Sequence, residues 1–238
     1  FSVFPELENY IEFNFDYSNI KELKDNYDYT RNWVSQEEYE QMPENARNQL
    51  ALDRYIESKK KSKWQIGRDY EMYIGYLFEK QGYNVKYTGI LEQLNDMGRD
   101  LIATKGNETL IIQCKNWASN KTIHEKHINQ LFGTTVQYNI QNRTNAQAVF
   151  ITSTQVSDMA QKFANYLGVQ VGQNIKLKEF PRIKCNINNG EKIYHLPFDQ
   201  QYDRTIIDKK GEFFAWNVEE ATNAGFRRAK RYFYSDIN

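Results

Sequence analysis

DLIATKGNETLIIQCK, residues Asp100 to Lys115, holds two short apolar runs, Leu101 to Thr104 and Thr109 to Ile112. Between them lies the turn-like Lys105-Gly106-Asn107-Glu108. This is the pattern of a β-hairpin. A turn centred on Gly106-Asn107 sets residues whose numbers sum to 213 opposite each other. Asp100 then faces Gln113, and Lys115 lies two residues on, on the same side of the pleat. A carboxylate, a carboxamide and an amine meet at one end of an otherwise apolar ribbon.

Outward from the hairpin, helical and strand patterns alternate. Ile66, Tyr70, Tyr73, Ile74, Leu77 and Phe78 form one helical stripe, which Gly82 closes. Glu71 and Asp69 border opposite edges of that stripe, and spacing alone does not choose which carboxylate reaches a cleft beside the core. Val85 to Tyr87 reads as a strand, and a loop through Asp96 and Gly98 leads into the hairpin. Beyond Lys115, a polar loop from Asn116 to Lys121 precedes Thr122-Ile123-His124-Glu125. That spacing is a capping box and predicts a helix with His124, Ile128, Leu131 and Thr135 on one face. Ala148 to Thr152 is a buried-type strand, Ser157 caps a helix to Leu167, and Val169 to Val171 is a short strand. The order predicts an α/β layer structure around a mixed sheet.

Residues 1–65 read as helices joined by polar turns. Ser35-Gln36-Glu37-Glu38 has capping-box spacing, and Pro43 ends that helix or opens the next. Lys59, Lys60, Lys61 and Lys63 form a basic run. After Pro181 the pattern becomes hairpin-like, with turn signals at Asn188-Asn189-Gly190 and Lys209-Lys210-Gly211. A short helix capped by Asn217 and stopped by Gly225 follows, then the basic tail Arg227-Arg228-Ala229-Lys230-Arg231. The expected organisation is an N-terminal helical module (1–65), an α/β domain (66–175) and a small β-rich domain with one helix (181–238).

With 238 residues the chain can bury a good core. It has no apolar run long enough for a membrane span and, as it stands from Phe1, no N-terminal h-region. Cys114 and Cys185 lack CxxC spacing, which argues against a disulfide framework or a cysteine zinc site and for a reducing, cytoplasmic setting. The zero net charge hides an asymmetry: residues 1–58 carry 13 acidic and 5 basic side chains, and residues 59–238 carry 18 and 26. The second part is biased towards polyanions, while the first reads as a solvated acidic face.

Hydrolysis of a phosphodiester needs an activated water, neutralisation of charge on the phosphoryl oxygens and help for the leaving alkoxide. A divalent cation on hard oxygen ligands supplies all three, and Mg²⁺ asks for only one or two protein carboxylates. At the hairpin's end Asp100 would ligate directly, Gln113 would offer its amide oxygen, and the backbone carbonyl of Cys114 would complete the set. Lys115 would orient water or stabilise phosphoryl charge. Glu71, reaching in from the preceding helix, would restore the charge that Gln113 lacks.

The arrangement Asp-x(12)-Gln-x-Lys resembles the PD-(D/E)xK nuclease core. With Tyr70-Glu71, Gly98-Arg99-Asp100-Leu101-Ile102-Ala103 and Ile112-Gln113-Cys114-Lys115, it is similar in particular to the Mrr-like restriction endonucleases in their QxK form. The likeness extends through Gln130-Leu131-Phe132-Gly133 and the strand and helix from Ala148 to Leu167, covering roughly residues 66–172. It implies a restriction-endonuclease-like mixed β-sheet flanked by helices, with Glu71, Asp100, Gln113 and Lys115 as catalytic positions. It further implies DNA as substrate, Mg²⁺ as cofactor with Mn²⁺ able to substitute, and a role in restriction or anti-phage defence. Cutting both strands favours a homodimer, and a larger defence complex or an upstream domain is a further partner expectation. The competing expectations are a catalytically weak DNA-binding or recruitment module, and a nuclease of DNA repair or mobile-element processing.

Lesser candidates surround this constellation. Lys61, Lys63, Arg99, Trp117, His124, His127 and Gln130 are candidate DNA contacts, and Asp96 is a candidate outer-sphere ligand; for each, a purely structural role is the plain alternative. In the C-terminal segment, Gly190-Glu191-Lys192-Ile193-Tyr194-His195-Leu196-Pro197 and Gly225-Phe226-Arg227-Arg228-Ala229 resemble the small "sunset" domain appended to nucleases. There Arg227, Arg228, Lys230 and Arg231 are candidate phosphate contacts.

Overall fold

The computed structural model describes residues 28–58, 61–91, 98–118 and 120–229. Helices α1 (Gln36–Gln41), α2 (Glu44–Glu57) and α3 (Lys63–Glu79) lead into strand β1 (Asn84–Tyr87) and a helical turn (Thr88–Leu91). The hairpin follows as β2 (Leu101–Lys105) and β3 (Glu108–Lys115), then β4 (Thr122–Ile123), α4 (Glu125–Asn142) and β5 (Gln147–Thr152). Next come β6 (Gln155–Val156), α5 (Asp158–Leu167) and β7 (Gln170–Gly172). The C-terminal part holds β8 (Ile183–Asn188), β9 (Glu191–His195), β10 (Phe213–Ala215), α6 (Val218–Asn223) and β11 (Arg227–Arg228).

The main sheet has the order β1-β2-β3-β5-β7. Its first two pairings are antiparallel and its last two parallel, so it is mixed. The hairpin pairs Leu101 with Ile112 and Lys105 with Glu108, the register set by the Gly106-Asn107 turn. Gly106 adopts φ +58°, which glycine reaches without strain. The ladder stops one pair short of Asp100 and Gln113. Instead the Asp100 N–H donates to the Ile112 carbonyl at 2.9 Å, and the Asp100 carboxylate itself takes the Cys114 N–H.

Each face of this sheet is covered. Tyr70, Tyr73 and Ile74 of α3 pack with Val85, Leu101, Leu110, Ile112 and Ile151 on one side. Ile128 and Leu131 of α4 and Ala160 and Ala164 of α5 pack with Ile111, Ala148 and Phe150 on the other. Each fully buried large apolar side chain contributes about 1.5–3 kcal/mol relative to exposure. The capping box at Ser35 forms as predicted, and Pro43 stands at the start of α2 rather than inside a helix. A second box, Ser62 with Gln65, opens α3 three residues before the start that the stripe suggests. Ile66 is exposed and does not belong to the buried stripe, because α3's first turn extends past the edge of the core.

One predicted box does not form. Thr122 and Ile123 are extended and pair in parallel with Gln155 and Val156, which takes Ile123 into the core. Helix α4 therefore begins only at Glu125, and His124 is an exposed N-cap without a side-chain cap bond rather than a member of the buried face.

The C-terminal strands form a second sheet, β10-β8-β9-β11, whose β8–β9 turn uses Asn189 at φ 49° and Gly190 at φ 82°. Packing runs across the expected boundaries at 65 and 181. Leu52 of α2 is part of the core of the second sheet, Asn48 donates to the Tyr194 hydroxyl at 3.0 Å, and the Val218 N–H donates to Gln49 at 2.7 Å. Helix α3 is tied to the same region: Arg68 bonds Asp203 and the Pro197 carbonyl, and Asp69 pairs with Lys61 and Arg182.

This second core has an acid-sensitive member. Burial, with Arg228 and Lys184 adding to it, pushes the His195 imidazole down to about 4. The folded form thus keeps the ring neutral while the unfolded chain protonates it near the ordinary 6.5. The contribution is full above pH 6.5 and is lost as pH falls towards 4, by about 3 kcal/mol in total. Urea unfolding of His195→Gln should show a correspondingly shallower loss of stability between pH 6.5 and 4; an unchanged pH slope would refute the assignment.

Candidate active site

Asp100 sits where β2 begins, with its side chain bent back onto the hairpin. Its Oδ2 accepts the Cys114 N–H at 2.6 Å, and its own carbonyl accepts the Gly89 N–H at 2.9 Å. In an extended residue the N–H and C=O point to the same side of the strand. The Cys114 carbonyl is therefore directed to the same side of β3 as Asp100.

Helix α3 supplies the second carboxylate, and here the structure separates the two candidates that the stripe leaves equal. Asp69 is consumed by Lys61 at 2.7 Å, Arg182 at 3.2 Å and the Tyr55 hydroxyl at 2.8 Å. Glu71 instead faces Asp100. A methyl group on Gly89 would stand 3.1 Å from Glu71 Oε2 and 3.2 Å from Asp100 Oδ1. Both carboxylate oxygens thus approach one point, and glycine at 89 keeps that space clear. Cys114 reports the same field: burial first, then Asp100 and Glu71, hold its thiol well above its usual range, so it stays protonated.

Gln113 is almost fully buried, and its Oε1 finds no hydrogen-bond partner among the described residues. An orphaned buried amide oxygen costs about 1–3 kcal/mol, which a cation or a donor would offset. Its amide nitrogen lies towards Gly98, where an added methyl would stand 2.9 Å from both Gln113 Nε2 and Gln130 Nε2. Gly98 also has φ +81°, in the left-handed region. Gly98→Ala should therefore cost about 1–3 kcal/mol of stability and displace Gln113. The check is a Mg²⁺ titration of the variant beside thermal unfolding: the concentration needed for half-maximal effect should rise, and an unchanged titration would count against Gln113 as a donor.

Lys115 ends β3 beside Thr152, half-buried, and its ammonium makes no ion pair or hydrogen bond among the described residues. Two carboxylates, an amide oxygen, a backbone carbonyl and an ammonium are thereby gathered at one end of the hairpin. Among the described residues no group of three His, Cys, Asp or Glu side chains assembles. The donors are hard oxygens with few charges, which fits Mg²⁺ or Mn²⁺ rather than a thiolate- or imidazole-seeking metal.

The outlying candidates divide. Lys63 is exposed at the start of α3. Lys61 is turned inward by its ion pair with Asp69, and Arg228 by its pair with Asp199, which removes both from the surface where a phosphate would lie. Arg227 pairs with Glu191. The Arg99 guanidinium stands 5.9 Å over the Tyr138 ring, towards α4. Trp117 is half-buried, with its N–H donating to Ser153 Oγ at 2.9 Å and its ring edge-on to His127 at 5.2 Å. His127 has both ring nitrogens buried, and burial, with Lys115, Lys126 and His124 adding to it, holds it below its ordinary value. Its ring also packs against Phe150 at 6.5 Å. His124 and Gln130 are exposed. Lys59, Lys60, Asp96, Lys230, Arg231 and residues 1–27 lie outside the described residues.

The signal overlooked in the sequence is the pair Gly89 and Gly98, whose missing side chains clear space beside the carboxylates and the two glutamines. Both glycines precede the acidic strand start at Asp100, and glycine marks such close approach.

A mixed sheet layered between helices, with acidic and amide groups at the mouth of its central hairpin, defines the restriction-endonuclease-like class of α/β folds. The chain belongs to the Mrr_cat family of restriction endonucleases, whose family model matches residues 63–183, just over half of its length. A search of curated proteins finds no match. Among solved structures, the "Crystal Structure of Protein of Unknown Function AF1548" is similar at 18% identity with a TM-score of 0.33. That match covers 44% of this chain and 58% of that one. No helix among the described residues is long and apolar enough to cross a membrane.

Proposed function

We propose that this protein is a Mg²⁺-dependent DNA endonuclease acting in restriction or anti-phage defence, with Glu71, Asp100, Gln113 and Lys115 as its catalytic residues. The observation that carries this reading is the approach of Glu71 and Asp100 to one point at the head of the hairpin that carries the buried Gln113 and Lys115. Asp100, Glu71, Gln113 Oε1 and the Cys114 carbonyl would hold the cation. A divalent cation held by these groups would supply Lewis-acid polarisation of the phosphodiester and activation of water. The Asp100 side chain is fixed for this by the Cys114 N–H, and Gln113 by the strand on which it is buried. Lys115 places a compact positive charge where the attacking water and the phosphoryl oxygens meet. Mn²⁺ would substitute, since it shares the oxygen preference. A cytoplasmic location and a homodimer that cuts both strands complete the reading.

The neutral amide at position 113 supports a second reading, a DNA-binding or recruitment module with weak or no cutting, because one charge fewer lowers cation affinity. Incubating plasmid with Mg²⁺, beside EDTA and Lys115→Ala controls, separates the two. The proposal expects metal-dependent nicking or linearisation by the wild type alone; binding without any cutting would transfer the protein to the second reading. Linear, nicked and branched substrates compared side by side test for a repair enzyme.

A further inference from the structure

The chain leaving β7 is held at the catalytic end of the sheet. The Asn174 N–H donates to the Thr154 carbonyl at 3.0 Å, and the Ile175 N–H to the Thr152 carbonyl at 3.0 Å. The Tyr70 hydroxyl, on the residue before Glu71, donates to the Ile175 carbonyl at 2.7 Å. Three bonds thus pin residues 174 and 175, the start of the segment 174–178, between the helix that carries Glu71 and the strand end beside Lys115.

Side chains alternate along this strap. Ile175 and Leu177 pack onto the core on the α3 side, while Lys176 and Lys178 are exposed. Neither ammonium makes an ion pair or hydrogen bond among the described residues. One acidic neighbour, the exposed Glu179, follows them. On the opposite flank, the Lys121 carbonyl accepts from the Thr154 hydroxyl, and the Lys121 ammonium lies 5.7 Å from the Trp117 ring. The backbone of Thr154 thus joins the strap and the Lys121 loop at the strand end that follows Thr152.

The spacing suits a nucleic-acid backbone. Lys115 lies beside Thr152, and Ile175 lies beside Thr152 on its other side. Two such spacings are about 10 Å, so the strap that carries the lysines stands close enough to Lys115 to meet the same bound duplex. Because the strap is already tied down, its lysines lose less freedom on binding than those of a mobile loop.

We propose that Lys176 and Lys178 form a rail that grips the sugar–phosphate backbone of duplex DNA beside the bond being cut. This rests on the reading of the hairpin end as a DNA-cutting site. The lysines act on binding alone and take no part in the chemistry.

The test compares Lys176→Gln/Lys178→Gln with an equal-charge control, Lys80→Gln/Lys210→Gln, in the full chain. Lys80 lies at the end of α3 away from Glu71, and both control lysines are exposed. Binding to a labelled duplex is measured with Ca²⁺ over a range of salt, and cutting with Mg²⁺ at saturating enzyme. The strap variant should reduce the slope of log affinity against log salt by about 1.8, about 0.9 for each phosphate no longer neutralised. Its saturated cutting rate should stay within about twofold of the wild type. A slope equal to the control's, in a wild type that cuts DNA, would overturn the rail and leave the proposed activity standing. Absence of both binding and cutting in the wild type would overturn both. Equal displacement of the duplex by a single-stranded RNA competitor would overturn the assignment to duplex DNA.

Discussion

Asp100→Asn is expected to lower Mg²⁺-dependent cutting by about a thousandfold, a loss of about 4 kcal/mol in transition-state stabilisation. Asparagine keeps the size of the side chain and a carbonyl oxygen able to accept the Cys114 N–H, so the start of β2 should hold its place. What it removes is the charge that faces Glu71. Losing that charge relieves repulsion between two carboxylates that approach one point, so the folded protein should be as stable as the wild type or slightly more so. Single-turnover cutting and thermal unfolding, measured together, make the distinction: cutting within tenfold of the wild type with unchanged stability would remove Asp100 from the chemistry.

Glu79→Ala should destabilise the protein by about 1–3 kcal/mol, because it weakens the negative field, shared with Asp203, in which the buried Lys184 ammonium sits. Lys184 is fully buried on β8, with its ammonium bonded to the carbonyls of Tyr202 at 3.2 Å and Thr205 at 2.8 Å. The rings of Tyr87 and Tyr202 flank it at 4.8 and 4.7 Å. Glu79, on the last turn of α3, supplies the opposing charge. Burial raises its carboxyl to about 7, against the pull of Lys184. The Tyr87 hydroxyl pulls the same carboxyl down. Two buried charges coupled through space are worth little as a pair. Glu79→Leu with Lys184→Met should therefore return stability to within about 1 kcal/mol of the wild type. Urea denaturation of the two single variants and the double variant measures the coupling. A double variant as unstable as Glu79→Ala would mean that shape, not charge, decides the site.

The hairpin was readable because three local signals agree: apolar runs of matched length, a glycine at the turn, and a register that places every apolar residue correctly. The alternation of helices and strands was readable for the same reason, and, apart from the short strands β4 and β6, the elements follow one another along the chain as expected. Failures fall where distant partners decide. Thr122 and Glu125 have perfect capping spacing, yet a strand more than thirty residues away draws Thr122 into a ladder. Asp69 and Glu71 are equivalent on a helical wheel, and only Lys61, Tyr55 and Arg182 remove one of them. Lys184 gives no sign of burial, since the Tyr and Thr carbonyls that receive it come from a bend some twenty residues later. Arg228 reads as part of a basic tail until Asp199 claims it.

Helix α3 has one more consequence. Arg68, Asp69, Tyr70 and Glu71 are consecutive, yet they engage Asp203, Lys61, Ile175 and the neighbourhood of Asp100 in turn. A fragment trimmed to the family segment at 63–183 would strip Asp69 of Lys61 and Tyr55, Arg68 of Asp203, and Glu79 of Lys184. Arg68 and Glu79 would lose these partners and Asp69 would keep only Arg182, on the rod that aims Glu71. The unit that gene fusion can carry from one protein to another is thus larger than the catalytic segment. Flanking helices and strands travel with the chemistry because they neutralise the helix that positions it.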